Sequence, residues 1–162
     1  MVRLARGDKR GFTLIELLIA VAIGAVLFSG GLAAYRGMGE RQSLKQASTS
    51  FQSNLRLFQQ KALAGEKPTD CEPAIFEGFE VSFANKTSYS ARPVCGWAMP
   101  TDKTYNLPEE VEFGDVPETI FFPVLRSELT GAQTITLGVG GFYYDVEIES
   151  TGVIRGKMRE IL

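Results

Sequence analysis

Apolar and polar positions divide the chain into three stretches with different patterns. From Phe12 to Ala34 nearly every position is apolar, and Glu16 is the only charged residue. Further on, apolar residues recur at spacings of three and four, which is typical of one face of a helix. They are Leu44, Ala47, Phe51, Leu55, Phe58 and Ala62. Gly65 and Pro68 follow, so we predict one helix from about Phe12 to Ala64.

After Glu66, short runs of alternating apolar and polar residues predict strands. The runs are Phe79–Phe83, Tyr89–Val94 (interrupted by Pro93), Val111–Phe113, Thr119–Val124, Thr134–Leu137, Tyr143–Ile148 and Val153–Ile154. Asn85–Ser88 is typical of a turn, and Gly138–Gly141 of a hairpin turn. The sequence therefore predicts an α+β roll, in which a long N-terminal helix packs on an antiparallel sheet of four to seven strands.

The segment before the apolar run is basic. Met1–Gly11 contains four Lys or Arg residues and one Asp. A basic segment followed by an apolar helix of about 35 Å predicts a single membrane span with its N-terminus in the cytoplasm. A cleaved signal peptide and a plain membrane anchor are simpler interpretations. Neither explains Glu16, because an ionisable group inside a span costs about 2.5–3.5 kcal/mol on insertion.

The stretch from Lys9 to Ile19, KRGFTLIELLI, resembles the class III leader of type IV pilins and pseudopilins. The resemblance implies that a membrane-embedded prepilin peptidase cuts between Gly11 and Phe12 and N-methylates Phe12. It also implies that Glu16 pairs with the N-terminal ammonium of a neighbouring subunit and sets the register of assembly. The alternative is an interfacial, snorkelling Glu16 that has no partner.

The same resemblance implies a domain organisation. It comprises a cleaved leader (1–11), a transmembrane and assembly helix (12–35), an amphipathic continuation (36–65) and an extracytoplasmic β-sheet head (66–162). The expected location is the inner membrane and then a filament. The expected partners are the peptidase, other pilin or pseudopilin subunits, an inner-membrane assembly platform and membrane lipid.

The C-terminal part of the chain has a weaker resemblance to the pseudopilin H and FimT-like group. The matching residues are Ile120-Phe121-Phe122-Pro123, Gly131, Thr134–Leu137, Val146-Glu147-Ile148, Gly152 and Ile154. A generic pilin-like sheet is the alternative, because alternating strands are common.

Cys71 and Cys95 both lie in the predicted extracytoplasmic part, where an oxidising environment favours a disulfide. Two free, buried thiols are the alternative. The chain has no histidine, which removes Ser-His-Asp and Cys-His catalysis and histidine-ligated metals. We therefore expect no enzyme and no cofactor. A net charge of −2 gives no sign of a nucleic-acid partner.

Acidic residues cluster between positions 109 and 118. They are Glu109, Glu110, Glu112, Asp115 and Glu118. Their spacing does not match a dense Asp-x-Asp calcium loop, so we expect a solvated acidic face and no metal. Asn85-Lys86-Thr87 fits a glycosylation sequon, which is a weak signal.

The sequence thus predicts a structural subunit of a type IV pilus, a type II secretion pseudopilus or a related competence filament. The alternative is a single-span envelope protein with an extracytoplasmic binding domain that does not polymerise. The Gly11–Phe12 cleavage site distinguishes the two, because a plain anchor has no use for it.

Overall fold

A computed structural model describes residues 12–129 and 132–159 of the chain, without the side chains of residues 29–36. The predicted leader with Gly11, and Gly131 of the C-terminal resemblance, lie outside these residues. The described residues form two compact units, which divide between Met38 and Gly39.

A single helix, α1, runs from Leu14 to Leu63. The predicted helix of Phe12 to Ala64 is confirmed to within two residues at each end. At its C-terminus, the Gly65 N–H donates to the Ala62 carbonyl at 3.0 Å, and the Glu66 N–H donates to the Lys61 carbonyl at 3.0 Å. Gly65 has a φ of +65°, so the helix ends at a left-handed glycine, as its sequence indicates.

Eight strands follow in the described residues. They are β1 (Phe76–Phe83), β2 (Ser88–Cys95), β3 (Lys103–Asn106), β4 (Glu112–Phe113), β5 (Ile120–Pro123), β6 (Gln133–Val139), β7 (Phe142–Ile148) and β8 (Ile154–Arg159). They form two antiparallel four-stranded sheets, with the orders β3-β2-β1-β5 (sheet 1) and β4-β6-β7-β8 (sheet 2). The α+β class is confirmed, but the expected single sheet of four to seven strands is wrong.

Two local details of the strand prediction are also corrected. β3 was not among the predicted strands, because its sequence, Lys-Thr-Tyr-Asn, lacks the alternation of apolar and polar residues on which the prediction relied. Pro93 lies within β2, opposite Phe79, and does not interrupt the strand. It is tolerated because β3 begins at Lys103, opposite Ala91, and does not extend along β2 as far as Pro93. At Pro93 the only described strand beside β2 is therefore β1.

The core lies between α1 and the two sheets. All six residues of the predicted apolar stripe of α1 are buried, and Leu44, Phe51 and Leu55 are fully buried. On an adjoining face of α1, three polar side chains bond to sheet 2 and the turn before β8. Gln52 Nε2 donates to the Tyr144 hydroxyl at 2.9 Å. Arg56 donates to the Ile154 carbonyl at 2.8 Å, and Gln59 to the Gly152 carbonyl at 2.6 Å.

The predicted hairpin between β6 and β7 is confirmed with a shorter turn. The turn consists of Gly140 and Gly141, with φ values of +53° and +87°, whereas Gly138 belongs to β6. Two consecutive residues with positive φ are the requirement of a type I′ turn. The Glu40 carboxylate packs against Gly140, where a side chain would collide with it.

Candidate functional site

Thr13 caps the N-terminus of α1. Its side-chain Oγ1 accepts a hydrogen bond from the Glu16 N–H at 3.3 Å, and its carbonyl accepts one from the Leu17 N–H at 3.2 Å. This is the hydroxyl half of a capping box, in which a Thr is followed three residues later by a Glu. This role of Thr13 was not predicted from the sequence, although Thr-x-x-Glu before an apolar run is a recognisable signal of a helix start. Phe12 therefore lies just ahead of the capped helix.

Glu16 is in the first turn of α1, and its side chain is exposed. A carboxylate in the first turn interacts favourably with the partial positive charge at the helix N-terminus, typically by 0.3–1 kcal/mol. The helix itself therefore gives Glu16 a structural role beside the pairing role predicted from the resemblance. The pairing with a neighbouring ammonium stays a prediction.

The apolar residues around Glu16 are exposed on every side of the helix. They are Phe12, Leu14, Ile15, Leu17, Leu18, Ile19, Val21, Ile23, Val26, Leu27 and Phe28, with exposed fractions from 53% to 89%. A helix that is apolar all round is stable when lipid or other helices cover it. In the described residues, no helix combines the length and the hydropathy that crossing a membrane requires.

Comparison with known protein families gives a match in this segment. The family model described as the prokaryotic N-terminal methylation motif matches residues 6–32. The chain carries a prokaryotic N-terminal methylation motif. The resemblance to type IV pilins and pseudopilins is thereby confirmed, and the motif supports a pilin-like subunit that prepilin peptidase processes. Comparison with curated proteins and with solved structures gave no significant match.

The second predicted site, the cysteine pair, is joined in the structure. Cys71 and Cys95 form a disulfide with a Cα–Cα distance of 5.5 Å, and both residues are buried. Cys71 ends a short 3₁₀ helix, Thr69–Cys71, and Cys95 is the last residue of β2. The disulfide therefore ties the segment that follows α1 to sheet 1.

Asn85, from the sequon, takes part in the turn between β1 and β2. Asn85 Oδ1 accepts hydrogen bonds from the Thr87 N–H at 2.9 Å and from the Ser88 hydroxyl at 2.9 Å. The predicted turn between β1 and β2 is thus an Asx turn. Within the described residues, 12–129 and 132–159, no group of three acidic or cysteine side chains is placed to hold a metal ion.

Tyr89 lies near the start of β2, beside the turn that joins β1 and β2, and is buried, with its ring stacked on Tyr105 at a centroid distance of 5.1 Å. Burial raises the pKa of the Tyr89 hydroxyl, because the charged phenolate would lose its hydration. The hydrogen bond from Asn54 Nδ2, at 2.7 Å, opposes this rise in the pKa. Tyr105 adds to it through charge repulsion.

Proposed function

We propose that this chain is a structural subunit of a type IV pilus or a type II secretion-like pseudopilus. In this proposal, prepilin peptidase cuts between Gly11 and Phe12 and methylates Phe12, and the subunit polymerises through its N-terminal helix. The observation that carries the proposal is the methylation motif at residues 6–32. The apolar side chains exposed all around the start of α1 support it, since they need lipid or other helices as neighbours.

Glu16 has a specific place in this mechanism. Its carboxylate is the only charge between Phe12 and Ala34, and it lies in the first turn of α1. Before assembly it carries the free-energy cost of a charge in lipid. The N-terminal ammonium of a neighbouring Phe12 offsets this cost and favours one axial register. In the proposed topology, the leader is cytoplasmic and residues 66–162 form an extracytoplasmic head.

Cleavage is tested by intact-mass spectrometry of membrane-extracted protein. The expected mass corresponds to loss of Met1–Gly11 and gain of one methyl group. Gly11→Val should block cleavage, because a β-branched side chain crowds the scissile bond. Gly7→Val makes the same change four residues upstream and should be processed normally. Recovery of the full-length wild-type chain from cells with an active prepilin peptidase would contradict the proposal.

Assembly is tested by separating sheared filaments from membranes in cells that express Glu16→Val. The variant should be cleaved and inserted normally, yet it should be depleted from filaments. Glu16→Asp keeps a carboxylate and should recover part of the incorporation. Incorporation of Glu16→Val at the wild-type level would leave Glu16 as an interfacial charge. Wild-type protein found only in the membrane fraction would favour the non-polymerising envelope protein.

A further inference from the structure

The part of α1 that belongs to the head carries charge of one sign only. Over residues 41–61 the helix has four basic residues and no acidic one. Arg41, Lys45 and Arg56 are separated by four and by eleven residues, so they lie along one side of the helix, the basic flank. This flank borders sheet 2, because Arg56 donates a hydrogen bond to the Ile154 carbonyl of β8 at 2.8 Å.

Lys45 is the exposed charge of this flank. Among the described residues, its ammonium has no ion-pair or hydrogen-bond partner. It lines a shallow groove of about 600 Å³ on the solvent face of α1. The other described residues of the groove have amide or hydroxyl side chains, and they are Gln42, Gln46, Thr49, Ser50, Ser53 and Asn54. Hydrogen-bond donors around one positive charge are suited to binding a carboxylate.

An acidic turn, Pro108–Val111, projects from the same head. The Val111 N–H donates to the Pro108 carbonyl at 2.9 Å, and Val111 is fully buried, so the turn is fixed to the core. Glu109 and Glu110 occupy the two central positions of the turn, and both are exposed. In the part of the chain that the structure describes, neither carboxylate forms an ion pair. The turn therefore presents two carboxylates to solvent.

The acidic turn lies beside the other flank of α1. Pro108 lines a cleft together with Ser50 and Asn54 of α1. Asn54 Nδ2 donates to the Tyr89 hydroxyl of sheet 1 at 2.7 Å, so this flank faces sheet 1. Asn54 follows Lys45 by nine residues, which at about 100° per residue places the two on opposite sides of the helix. The head thus carries positive charge on one flank of α1 and negative charge beside the other.

We propose that the groove around Lys45 binds the acidic turn of a second copy of this chain in the assembled filament. The part concerning the filament rests on the proposed function. Copies whose helices run side by side in the same direction bring the acidic turn of one against the basic flank of the next. Each copy then uses both surfaces, one toward each neighbour, as in a heterologous contact that extends into a filament.

Charge complementarity selects this occupant. The groove offers donors and a positive charge, and the turn offers two carboxylates, so the surfaces complement one another. A long polyanion such as a nucleic acid would also approach the acidic turn beside the same helix, which would repel it. Exposed ion pairs contribute little affinity each. The contact therefore determines which flanks meet, and it acts together with the packing of the N-terminal helices.

The first test treats isolated filaments with a carbodiimide, which joins an amine directly to a carboxylate in contact with it. The expected product is a covalent dimer whose linked peptides contain Lys45 and either Glu109 or Glu110. Lys45→Arg keeps the positive charge without the reactive amine, so it should be incorporated normally and give none of this product. Absence of the link in wild-type filaments would overturn the proposal. An equal yield from detergent-solubilised protein would overturn it too, since the contact would then not depend on assembly.

The second test reverses the charges in the filament fractionation assay. Lys45→Glu and the pair Glu109→Lys, Glu110→Lys should each lower incorporation at least about fivefold, because like charges then meet. Combining all three changes restores opposite charges and should return incorporation to near the wild-type level. Lys67→Glu and Glu128→Lys make the same reversals outside both surfaces and should be incorporated normally. All five residues are exposed, so the reversals are compatible with folding.

The outcomes separate this proposal from the proposed function. If Glu16→Val is depleted from filaments but both reversals are incorporated normally, the contact is wrong and the filament role stands. If Glu16→Val is also incorporated normally, the assembly mechanism fails as well. If each reversal is depleted and their combination is not restored, the two surfaces bind something other than each other. That result, which a different subunit or an anionic polymer on the basic flank would give, also overturns the proposal.

Discussion

The rings of Phe51 and Phe113 meet edge to face, with centroids 5.5 Å apart. Phe51 belongs to α1, and Phe113 belongs to β4 of sheet 2. The same Phe51 ring also lies 5.0 Å from the ring of Tyr89, which belongs to sheet 1. One helical side chain therefore packs against both sheets, and the core of the head is centred on it.

Phe51→Ala should lower the free energy of unfolding of the head by about 3–5 kcal/mol, the usual range for a buried phenylalanine. The expected loss is large because the ring is fully buried and has aromatic neighbours from both sheets. Urea denaturation of the full chain in detergent measures it. Leu57→Ala, on an exposed part of α1, is the control and should cost about 0.5 kcal/mol. Similar losses for the two variants would contradict this account of the core.

Gly152→Ala should destabilise the head by at least about 2 kcal/mol. Gly152 has a φ of +84°, and a Cβ there would collide with the main-chain carbonyl of Ser127. Gly141→Ala is a matched control, because Gly141 has a φ of +87° and open space around the Cβ position. The control should show only the conformational cost, about 1 kcal/mol. Thermal or urea unfolding measures the stability of the two variants. Equal losses would mean that the backbone near Ser127 shifts to accommodate the Cβ at little cost in free energy.

Cys71 and Cys95 should be bridged in protein recovered from its native compartment. Alkylation before and after reduction, followed by peptide mapping, decides this directly. The two residues are 24 positions apart, so the chain-entropy model gives about 3.5 kcal/mol of stabilisation. The Cys71→Ser, Cys95→Ser double variant should lose about that much in its free energy of unfolding. Labelling of both wild-type thiols without reductant would rule the bridge out.

The stability of the head should fall as the pH rises above about 10. The pKa of Tyr89 is raised in the folded state from its ordinary value of 10.0, mainly by burial. Above pH 10 the unfolded chain releases this proton more readily than the folded chain, so unfolding becomes more favourable. Tyr89→Phe removes this contribution and should make the decline above pH 10 less steep. An identical decline in the variant would show that other groups cause it.

Short-range patterns in the sequence were sufficient to predict the helix, its C-terminal end, one hairpin and the leader. The stripe from Leu44 to Ala62 predicted the buried face of α1, because helical periodicity is a local property of the chain. Gly65 marked the end of the helix, and the glycines after Val139 marked a hairpin, since each requires a positive φ. The run from Lys9 to Ile19 predicted the leader, which the methylation motif then matched.

The tertiary structure alone decided how the strands combine. Alternation along β1 or β6 indicates a strand with one buried face, but not which strand lies beside it, because pairing joins residues far apart in sequence. β3 carries no alternation of its own and becomes a strand through its ladder with β2. The division into two sheets, and the position of β3 at the edge of sheet 1, follow from which strands pair with each other. These features depend on long-range contacts, and a local pattern does not encode them.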